Sequence, residues 1–253
     1  MTAPVKRRAL LVESDGLVLS AGIAVGPSPR AAVVLCHGIP GSSRRDPSDE
    51  GYAGLAEIVA ARGYAAAWLD FRGVRDSSGD FSVAGWVRDL EAMLDALARD
   101  REAGALRRVV AGSSAGGAVA IAAAARRADI AAVASLATPA SLRMLAGEPS
   151  AAIARLRNLG LIRDPAFPRD PDAWWAEIDD LSAERNVAAL APRPLLIAHG
   201  DADEVVPYAH AERLYSAAGS PKELARLPGA RHQLRRDERG VACLLDWLDR
   251  VCD

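Results

Sequence analysis

The sequence contains one serine in a setting that suits nucleophilic chemistry. Residues 112–116 read Gly-Ser-Ser-Ala-Gly, which matches the pattern G-x-S-x-G when Ser114 is its central residue. Apolar runs precede and follow this pentapeptide, as expected for a strand, a sharp turn and a helix. A serine on such a turn has a strained backbone and needs small residues two positions before and after it. The pattern therefore selects Ser114 rather than its neighbour Ser113 as the candidate nucleophile.

A serine hydroxyl is a weak nucleophile, so a base and an acid that orients the base must accompany it. His232 lies in a loop between the last predicted strand and the last predicted helix, where a base can reach over the edge of a sheet. Three carboxylates, Asp201, Asp203 and Glu204, follow the preceding predicted strand and compete for the acid role. From the residues alone, the choice among these three stays open.

The sequence contains no pattern typical of a metal site or of a set of disulfide bonds. The four histidines lack a ligand spacing such as H-E-x-x-H, so we expect no metal site and no cofactor. The three cysteines, Cys36, Cys243 and Cys252, are odd in number and lack the paired spacing of a zinc site. A disulfide framework is therefore not expected, and a reducing compartment is the default.

From residue 31 onward, short apolar runs alternate with longer helical patterns. The predicted strands are 31–36, 64–69, 107–111, 130–136, 194–198 and 222–227. The predicted helices are 50–62, 83–99, 115–127, 208–218 and 237–251. This alternation predicts an α/β fold with a mostly parallel central sheet flanked by helices. Before it, two apolar runs meet at Asp15-Gly16, a dipeptide that suits a hairpin turn.

Residues 138–191 interrupt this alternation, because they contain five prolines and no convincing strand. Such a length is too great for a plain connection in a compact domain, so we expect an inserted helical cap. The predicted organisation is a core domain formed by residues 1–137 and 192–253, with the cap between them.

Together and in this order, the motifs resemble those of the α/β-hydrolase family, from about residue 31 to the C-terminus and apart from 138–191. In that family, a turn of the pattern G-x-x-D-x-x-V-P follows the strand after the cap, and its aspartate is the catalytic acid. Laid on this sequence, the pattern selects Asp203. The resemblance thus implies a triad of Ser114, Asp203 and His232, in the family's order.

The resemblance also implies an oxyanion hole formed by the backbone N–H groups of Ile39 and Ala115. Ile39 follows a His-Gly turn, and His37 in that turn is expected to be structural rather than catalytic. The family's Asp-x-Arg-Gly turn is present as well. We expect its Asp70 and Arg72 to tie loops together near the site.

The implied activity is that of a serine hydrolase cleaving a carboxylic ester through an acyl-enzyme, similar to small-ester and feruloyl-esterase-like members. Peptidase, thioesterase, carbon–carbon hydrolase and perhydrolase members use the same triad, and a non-catalytic binding protein is a further alternative. Relatives with an aspartate nucleophile are disfavoured by Ser114. The expected partner is a small-molecule ester, and the expected state is a monomer or homodimer.

Specificity is expected to lie in the cap. Trp174, Trp175 and Phe167 are the candidates for lining an acyl pocket above Ser114, with Leu156, Leu159 and Ile162 as further apolar candidates. Neighbouring residues on a helix point about 100° apart, so we expect only one of the two tryptophans to face the site.

The composition limits the classes of partner. The chain has 253 residues, 50% of them hydrophobic and 25% charged, and a net charge of −2. This balance is typical of a soluble globular protein and argues against nucleic acid or membrane as main partners. Without the long apolar region of a secretory signal, we expect a cytoplasmic location. The pairs Arg44-Arg45 and Arg235-Arg236 are interpreted as solvated, with the first a candidate contact for an acidic substrate.

Overall fold

The computed structural model describes residues 4–41, 49–145 and 147–252. Within them, ten strands occur: β1 (Lys6–Ala9), β2 (Val12–Ser14), β3 (Leu17–Leu19), β4 (Ala21–Val25), β5 (Ala32–Cys36), β6 (Ala65–Leu69), β7 (Arg108–Ser113), β8 (Ile130–Leu136), β9 (Leu195–Gly200) and β10 (Lys222–Leu227). The same residues form eight α-helices: α1 (Gly51–Ala61), α2 (Val83–Ala98), α3 (Ala115–Arg126), α4 (Pro149–Asn158), α5 (Pro171–Asp180), α6 (Ala183–Asn186), α7 (Ala209–Ala217) and α8 (Glu238–Cys252).

Eight of these strands form the central sheet, in the order β1-β4-β6-β5-β7-β8-β9-β10. The pairs from β6 to β10 are parallel, and β4 is antiparallel to both of its neighbours. This confirms the predicted α/β architecture with a mostly parallel sheet. The register aligns Cys36 of β5 with Leu69 of β6 and with Gly112 of β7, so these three strands end side by side. The loops that follow them consequently meet at one edge of the sheet.

The N-terminal hairpin turns at the predicted dipeptide. Asp15 and Gly16 have φ angles of 51° and 76°, the left-handed values that a two-residue hairpin turn requires. Beside the turn, β2 pairs with β3, and farther along the same two arms β1 pairs with β4 in the central sheet.

Helices cover both faces of the sheet, which explains why its central strands are continuous apolar runs. Every residue of β5 is buried, and its side chains alternate between two cores. Val34 packs in the core that includes residues of α2 and α3, whereas Val33 packs in the core that includes residues of α1 and α8. Helix α3 contains seven alanines and is almost wholly buried, because small side chains allow a close approach to the sheet.

Residues 138–191 connect β8 to β9, two strands that lie next to each other in the sheet. The described part of this segment contains α4, α5, α6 and two short 3-10 turns, and no strand. Helices α4 and α5 contact each other, and α5 also contacts α2. Helix α6 and the following turn pack against α3 instead, so the end of the segment belongs to the packing of the core. The division into core and cap stays a prediction. Among all the described helices, none combines the length and apolar character needed to cross a membrane.

Candidate active site

Ser114 lies at the junction between β7 and α3, where the chain turns sharply. Its φ of 55° is unusual for a residue other than glycine and marks a strained backbone. The backbone N–H of Ser114 donates a hydrogen bond to the carbonyl oxygen of Leu136, at 2.8 Å. The bond joins the turn to the end of β8. As a result, the serine hydroxyl is held at the edge of the sheet, in a partly buried position.

The glycines around Ser114 are required by close backbone approaches. A Cβ on Gly116 would lie 2.3 Å from the carbonyl oxygen of His37, and one on Gly112 would lie 2.3 Å from the carbonyl oxygen of Gly116. A Cβ on Gly38 would lie 2.7 Å from the Cβ of Ser114 itself. The serine turn, the first turn of α3 and the His-Gly turn after β5 therefore pack backbone against backbone, which explains the pattern G-x-S-x-G.

His232 lies in the loop after β10, and its ring connects Ser114 to a carboxylate. Its Nε2 is 3.1 Å from Oγ of Ser114, and its Nδ1 is 2.8 Å from Oδ2 of Asp203. The other two candidate acids face other partners. Asp201 accepts hydrogen bonds from Arg226 and from the backbone N–H of Gly229, and Glu204 pairs with exposed Arg231. The structure therefore brings together the serine, the histidine and the aspartate that the sequence pattern selects.

Asp203 is held in its ionised form by four donors. Its Oδ1 accepts hydrogen bonds from the backbone N–H groups of Val205 and Val206, at 2.9 and 2.8 Å. Its Oδ2 faces His232 and also Nε2 of His199, which is 3.3 Å away. Burial acts to raise the pKa of Asp203, but the hydrogen bonds from the two histidines and from Val206 outweigh it and lower the pKa below its usual range. The carboxylate can therefore accept from Nδ1–H of His232, which leaves Nε2 free to accept the serine proton.

The two predicted oxyanion donors lie on either side of the serine. Ala115 is the first residue of α3, and Ile39 follows the His-Gly turn and lines the same cavity as Ser114. Among the hydrogen bonds of the described residues, neither of these backbone N–H groups donates to a protein acceptor. The N-terminus of α3 adds a positive dipole end at this point.

His37 connects the loops that follow β5 and β6 beside the site. Its Nδ1–H donates to the carbonyl oxygen of Gly38 at 2.7 Å, and its Nε2 accepts from the backbone N–H of Phe71 at 3.0 Å. Burial, with a smaller effect from the charge of Arg75, lowers the pKa of His37 to about 4. The neutral ring therefore bridges the turns after β5 and β6. The second turn is tied in by Arg72, whose buried guanidinium pairs with Asp89 of α2 at 2.7 Å.

Ser114 and His232 open onto a cavity of about 970 Å³. Its apolar wall comes mainly from the segment before β9, together with residues after β6: Leu142, Leu156, Leu159, Trp174, Trp175, Ile178, Phe81 and Val83. The polar lining residues are Asp49, Tyr52, Gln233, Arg235 and Arg236, together with Arg75 and, from α4, Arg155 and Asn158. Asp49 and Tyr52 lie in a stretch with no motif, so nothing in the sequence indicates that they line the site.

Both tryptophans line this cavity, so the prediction that only one faces it is wrong. Their rings stack against each other, with centroids 6.0 Å apart and planes inclined by 30°. The Nε1–H of Trp174 donates to the buried carbonyl oxygen of Phe81 at 3.1 Å. The guanidinium of Arg143 lies over the ring of Trp175, at 5.2 Å. Although neighbouring helix positions point about 100° apart, both side chains reach the same cavity.

The structure corrects the placement of Phe167, which is not among the residues lining the cavity. It lies in a second depression of about 420 Å³, with Pro168 and Arg169. Its carbonyl oxygen accepts a hydrogen bond from Arg157, and its ring packs only partly buried against the core. Ile162, a further apolar candidate, is likewise buried in the core and not a lining residue.

The structure tests the interpretation of only one of the two arginine pairs as solvated. Arg44 and Arg45 lie outside the described residues. The interpretation of Arg235 and Arg236 as solvated surface is wrong for Arg235, which is partly buried and binds the carboxylate of Asp49 through two nitrogens, at 2.8 and 2.5 Å. Across the described residues, no group of three or more His, Cys, Asp or Glu side chains is arranged to hold a metal ion.

The sheet order and the serine turn together define an α/β-hydrolase, the fold that this chain shares with solved members of that class. Within that class, the model of the prolyl oligopeptidase family matches residues 52–253, and the chain belongs to this family.

Among individual proteins, the uncharacterized protein YfhR of Escherichia coli K12 is 29% identical over 180 residues, which are 70% of this chain and 56% of that protein. The chain thus spans about half the length of the curated relatives it matches.

Two solved structures extend the likeness in fold. The esterase domain of a Rhodothermus marinus protein has a TM-score of 0.69 and 22% identity, with 98% of this chain and 100% of that chain covered. Est1E from Butyrivibrio proteoclasticus, solved with ferulic acid bound, has a TM-score of 0.70 and 22% identity, with 96% and 97% covered. At this level of identity, the likeness concerns the fold.

Proposed function

We propose that the chain is a serine hydrolase that cleaves carboxylic esters, with Ser114 as nucleophile, His232 as general base and acid, and Asp203 as the group that orients the histidine. The observation that carries the proposal is the continuous contact from Ser114 Oγ through the His232 ring to Asp203 Oδ2, at 3.1 and 2.8 Å, on the wall of a largely apolar cavity. Such a chain of contacts supplies what a weak serine nucleophile needs.

In the first half of the reaction, the oxygen of Ser114 attacks the ester carbonyl carbon while Nε2 of His232 takes the hydroxyl proton. The negative charge that develops on the carbonyl oxygen is stabilised by the N–H groups of Ile39 and Ala115, each worth roughly 2.7–4 kcal/mol in a preorganised site. The bond to the alcohol oxygen then breaks, and His232 returns its proton to the leaving alcohol. The product is an ester between the acyl group and Ser114.

In the second half, a water molecule replaces the alcohol. His232 takes a proton from the water, whose oxygen attacks the acyl carbon and forms a second oxyanion in the same hole. The bond to Ser114 breaks, the serine oxygen recovers its proton from His232, and a carboxylic acid leaves. Asp203 stays ionised throughout and stabilises the charged imidazole of each step.

The acyl group fits the apolar part of the cavity. Trp174, Trp175 and Leu156 come from the segment that we propose as a cap, and they offer a wall suited to an aromatic or alkyl acyl chain. The likeness in fold to the esterase domain of Rhodothermus marinus and to Est1E, which carries ferulic acid, supports an ester substrate.

Peptide hydrolysis is the second candidate function, favoured by the match to the prolyl oligopeptidase family. The same triad attacks amide carbonyls, with the histidine protonating a leaving amine instead of an alcohol. Comparing p-nitrophenyl butyrate with aminoacyl-proline p-nitroanilides separates the two candidates. A kcat/KM for the anilides above that for the ester would assign the chain as a peptidase.

The decisive variant is Ser114→Ala. It is expected to abolish hydrolysis of p-nitrophenyl butyrate and labelling by a fluorophosphonate probe, while the urea unfolding curve stays near that of the wild type. Ser113→Ala is the matched control, because it removes the neighbouring hydroxyl and should still be labelled. Full turnover by Ser114→Ala would refute the assignment.

A further inference from the structure

A pair of guanidinium groups lies on the rim of the cavity, held by one carboxylate. Oδ2 of Asp49 accepts from Nη2 of Arg235 at 2.5 Å and from Nε of Arg236 at 2.8 Å, and Oδ1 accepts from Nη1 of Arg235 at 2.8 Å. Asp49 is itself fixed by the backbone N–H of Gly51, at 2.8 Å. The ring of Tyr52 supports Arg235 from below, 5.6 Å from the guanidinium carbon. The side chains of this rim cluster, Asp49, Arg235 and Arg236, are therefore fixed by several hydrogen bonds, unlike mobile surface arginines.

The rim cluster carries one net positive charge. The two arginines share a single carboxylate, and among the described residues Asp49 is the only acidic side chain that lines the cavity. Nε of Arg235 and Nη1 of Arg236 donate to no acceptor among the described residues. The guanidinium of Arg236 is also accessible, with 43% of its side chain exposed. Unused donors and uncompensated charge together suit an anionic group.

The rim cluster lies on the side where an alcohol would leave. Arg235 and Arg236 belong to the 3-10 turn Leu234–Arg236, which begins two residues after His232. His232 is the residue that would protonate the leaving oxygen, so the leaving group must lie next to its loop. The apolar wall, in contrast, comes mainly from the segment before β9. The cavity thus combines a largely apolar wall with the rim cluster beside the loop of His232, although Arg75, which pairs with Asp70, and Arg155 of α4 also line it.

We propose that the rim cluster binds a carboxylate on the alcohol part of the substrate, so that the preferred substrates are esters of small hydroxy acids with an apolar acyl group. The proposal rests on the proposed function, since it assigns the two sides of the ester from the role of His232. The carboxylate would bind the free edges of Arg235 and Arg236, while Asp49 keeps both guanidinium groups in place.

The test compares three butyrate esters: those of glycolate and glycolamide, which have nearly the same shape and differ in charge, and that of choline, a larger and cationic alcohol. The wild type is expected to show a kcat/KM for the glycolate ester at least about tenfold above that for the glycolamide ester, the effect of one charged hydrogen bond, with the choline ester lowest. In Arg236→Gln, the glycolate-to-glycolamide ratio should fall by about tenfold. Arg239→Gln is the matched control, because Arg239 is exposed, pairs with Asp237 and does not line the cavity.

The proposal is overturned if the wild type hydrolyses the glycolamide ester as well as the glycolate ester, or if Arg236→Gln and Arg239→Gln have the same ratio. A binding measurement keeps it independent of catalysis. N-butyrylglycine and N-butyrylglycinamide are titrated calorimetrically into Ser114→Ala and into Ser114→Ala combined with Arg236→Gln. Tighter binding of the charged ligand that is lost with Arg236 supports the rim cluster even if no ester is hydrolysed, whereas equal binding of the two ligands refutes it.

Discussion

The Nε2 of His199 lies 3.3 Å from Oδ2 of Asp203, the same carboxylate oxygen that Nδ1 of His232 approaches to 2.8 Å. His199 is fully buried at the end of β9, and its Nε2 also lies 2.8 Å from the carbonyl oxygen of Val206. Since both of these oxygens are acceptors, Nε2 carries the proton and shares it between them. Asp203 is therefore held from two sides by imidazole rings.

From this arrangement we infer that His199 is a positioning residue, which acts through Asp203 in the proposed triad. His199→Leu is expected to lower kcat for p-nitrophenyl butyrate by about tenfold with little change in KM, because one donor to a charged oxygen is lost and the acid is less well fixed. His199→Gln, whose amide N–H can reach the same oxygen, should recover most of that loss.

His210→Leu serves as the control for this prediction. His210 lies in α7, and its Nδ1 accepts from the backbone N–H of Ala140 rather than facing the carboxylate. A purely structural role of His199 would show as equal losses in the Leu and Gln variants, or as a rise in KM without a change in kcat. Either result would contradict the prediction.

A second prediction concerns Trp174, which lines both the cavity at Ser114 and the second depression. No other described residue borders both spaces, so its ring forms part of the wall between them. Trp174→Ala is expected to shift the optimum of kcat/KM toward longer acyl chains in a series of p-nitrophenyl esters. Each additional methylene that finds room is worth about tenfold, at the lower end of the usual range.

Trp175→Ala is the matched control, since Trp175 lines the cavity at Ser114 but not the second depression. It should change rates without moving the optimum toward longer chains. Because truncation of a buried tryptophan costs roughly 3–5 kcal/mol of stability, both variants are assayed below their unfolding transitions. The same optimum in Trp174→Ala as in the wild type would argue that the wall lies elsewhere.

A third prediction is a pH dependence of stability caused by His37. Its pKa is lowered from 6.5 to about 4 by burial, so between these values the unfolded chain binds a proton that the folded chain does not. Stability therefore rises with pH across this window and is lost as the pH falls, by about 1.4 kcal/mol per pH unit at most.

Urea unfolding at pH 7 and at pH 4.5 measures this effect. His37→Gln should be less stable than the wild type at pH 7, and its stability should fall less between the two pH values. Asp203 also stabilises the folded state through its lowered pKa. That stabilisation is lost only as the pH falls below the usual range of aspartate pKa values, outside the window of His37. Parallel decreases in the two proteins would show that His37 does not titrate in this window.

Much of the fold could be predicted from the sequence, because buried parallel strands read as continuous apolar runs. The predicted strand 107–111 is observed as Arg108–Ser113, and the predicted helix 83–99 as Val83–Ala98. The turn at Ser114 was predictable for a different reason. Close backbone packing leaves room only for glycine at fixed positions around Ser114, and this spacing can be recognised in the sequence itself.

The cavity lining was less predictable, because it depends on how distant segments meet. Asp49, Tyr52 and Arg235 come from two stretches far apart in the chain, and no spacing connects them. The 100° step between neighbouring helix residues did not predict where Trp174 and Trp175 lie, since two long side chains can reach the same cavity from backbone positions that point apart. The apolar character of Phe167 indicated that its side chain is packed against the protein. It could not indicate whether the side chain lines the cavity at Ser114 or the second depression.

The neighbouring positions of β8 and β9 in the sheet give the segment between them an unusual freedom. Its two ends are anchored to adjacent strands, so its length and sequence can change during evolution without altering the pairing of any strand. The serine turn is bonded to the end of β8 through Leu136, and α3, which begins at that turn, packs against α6 at the end of the segment. Changes confined to α4 and α5, which carry much of the apolar cavity wall, can therefore reshape the cavity while the packing of α6 on α3 supports the serine turn.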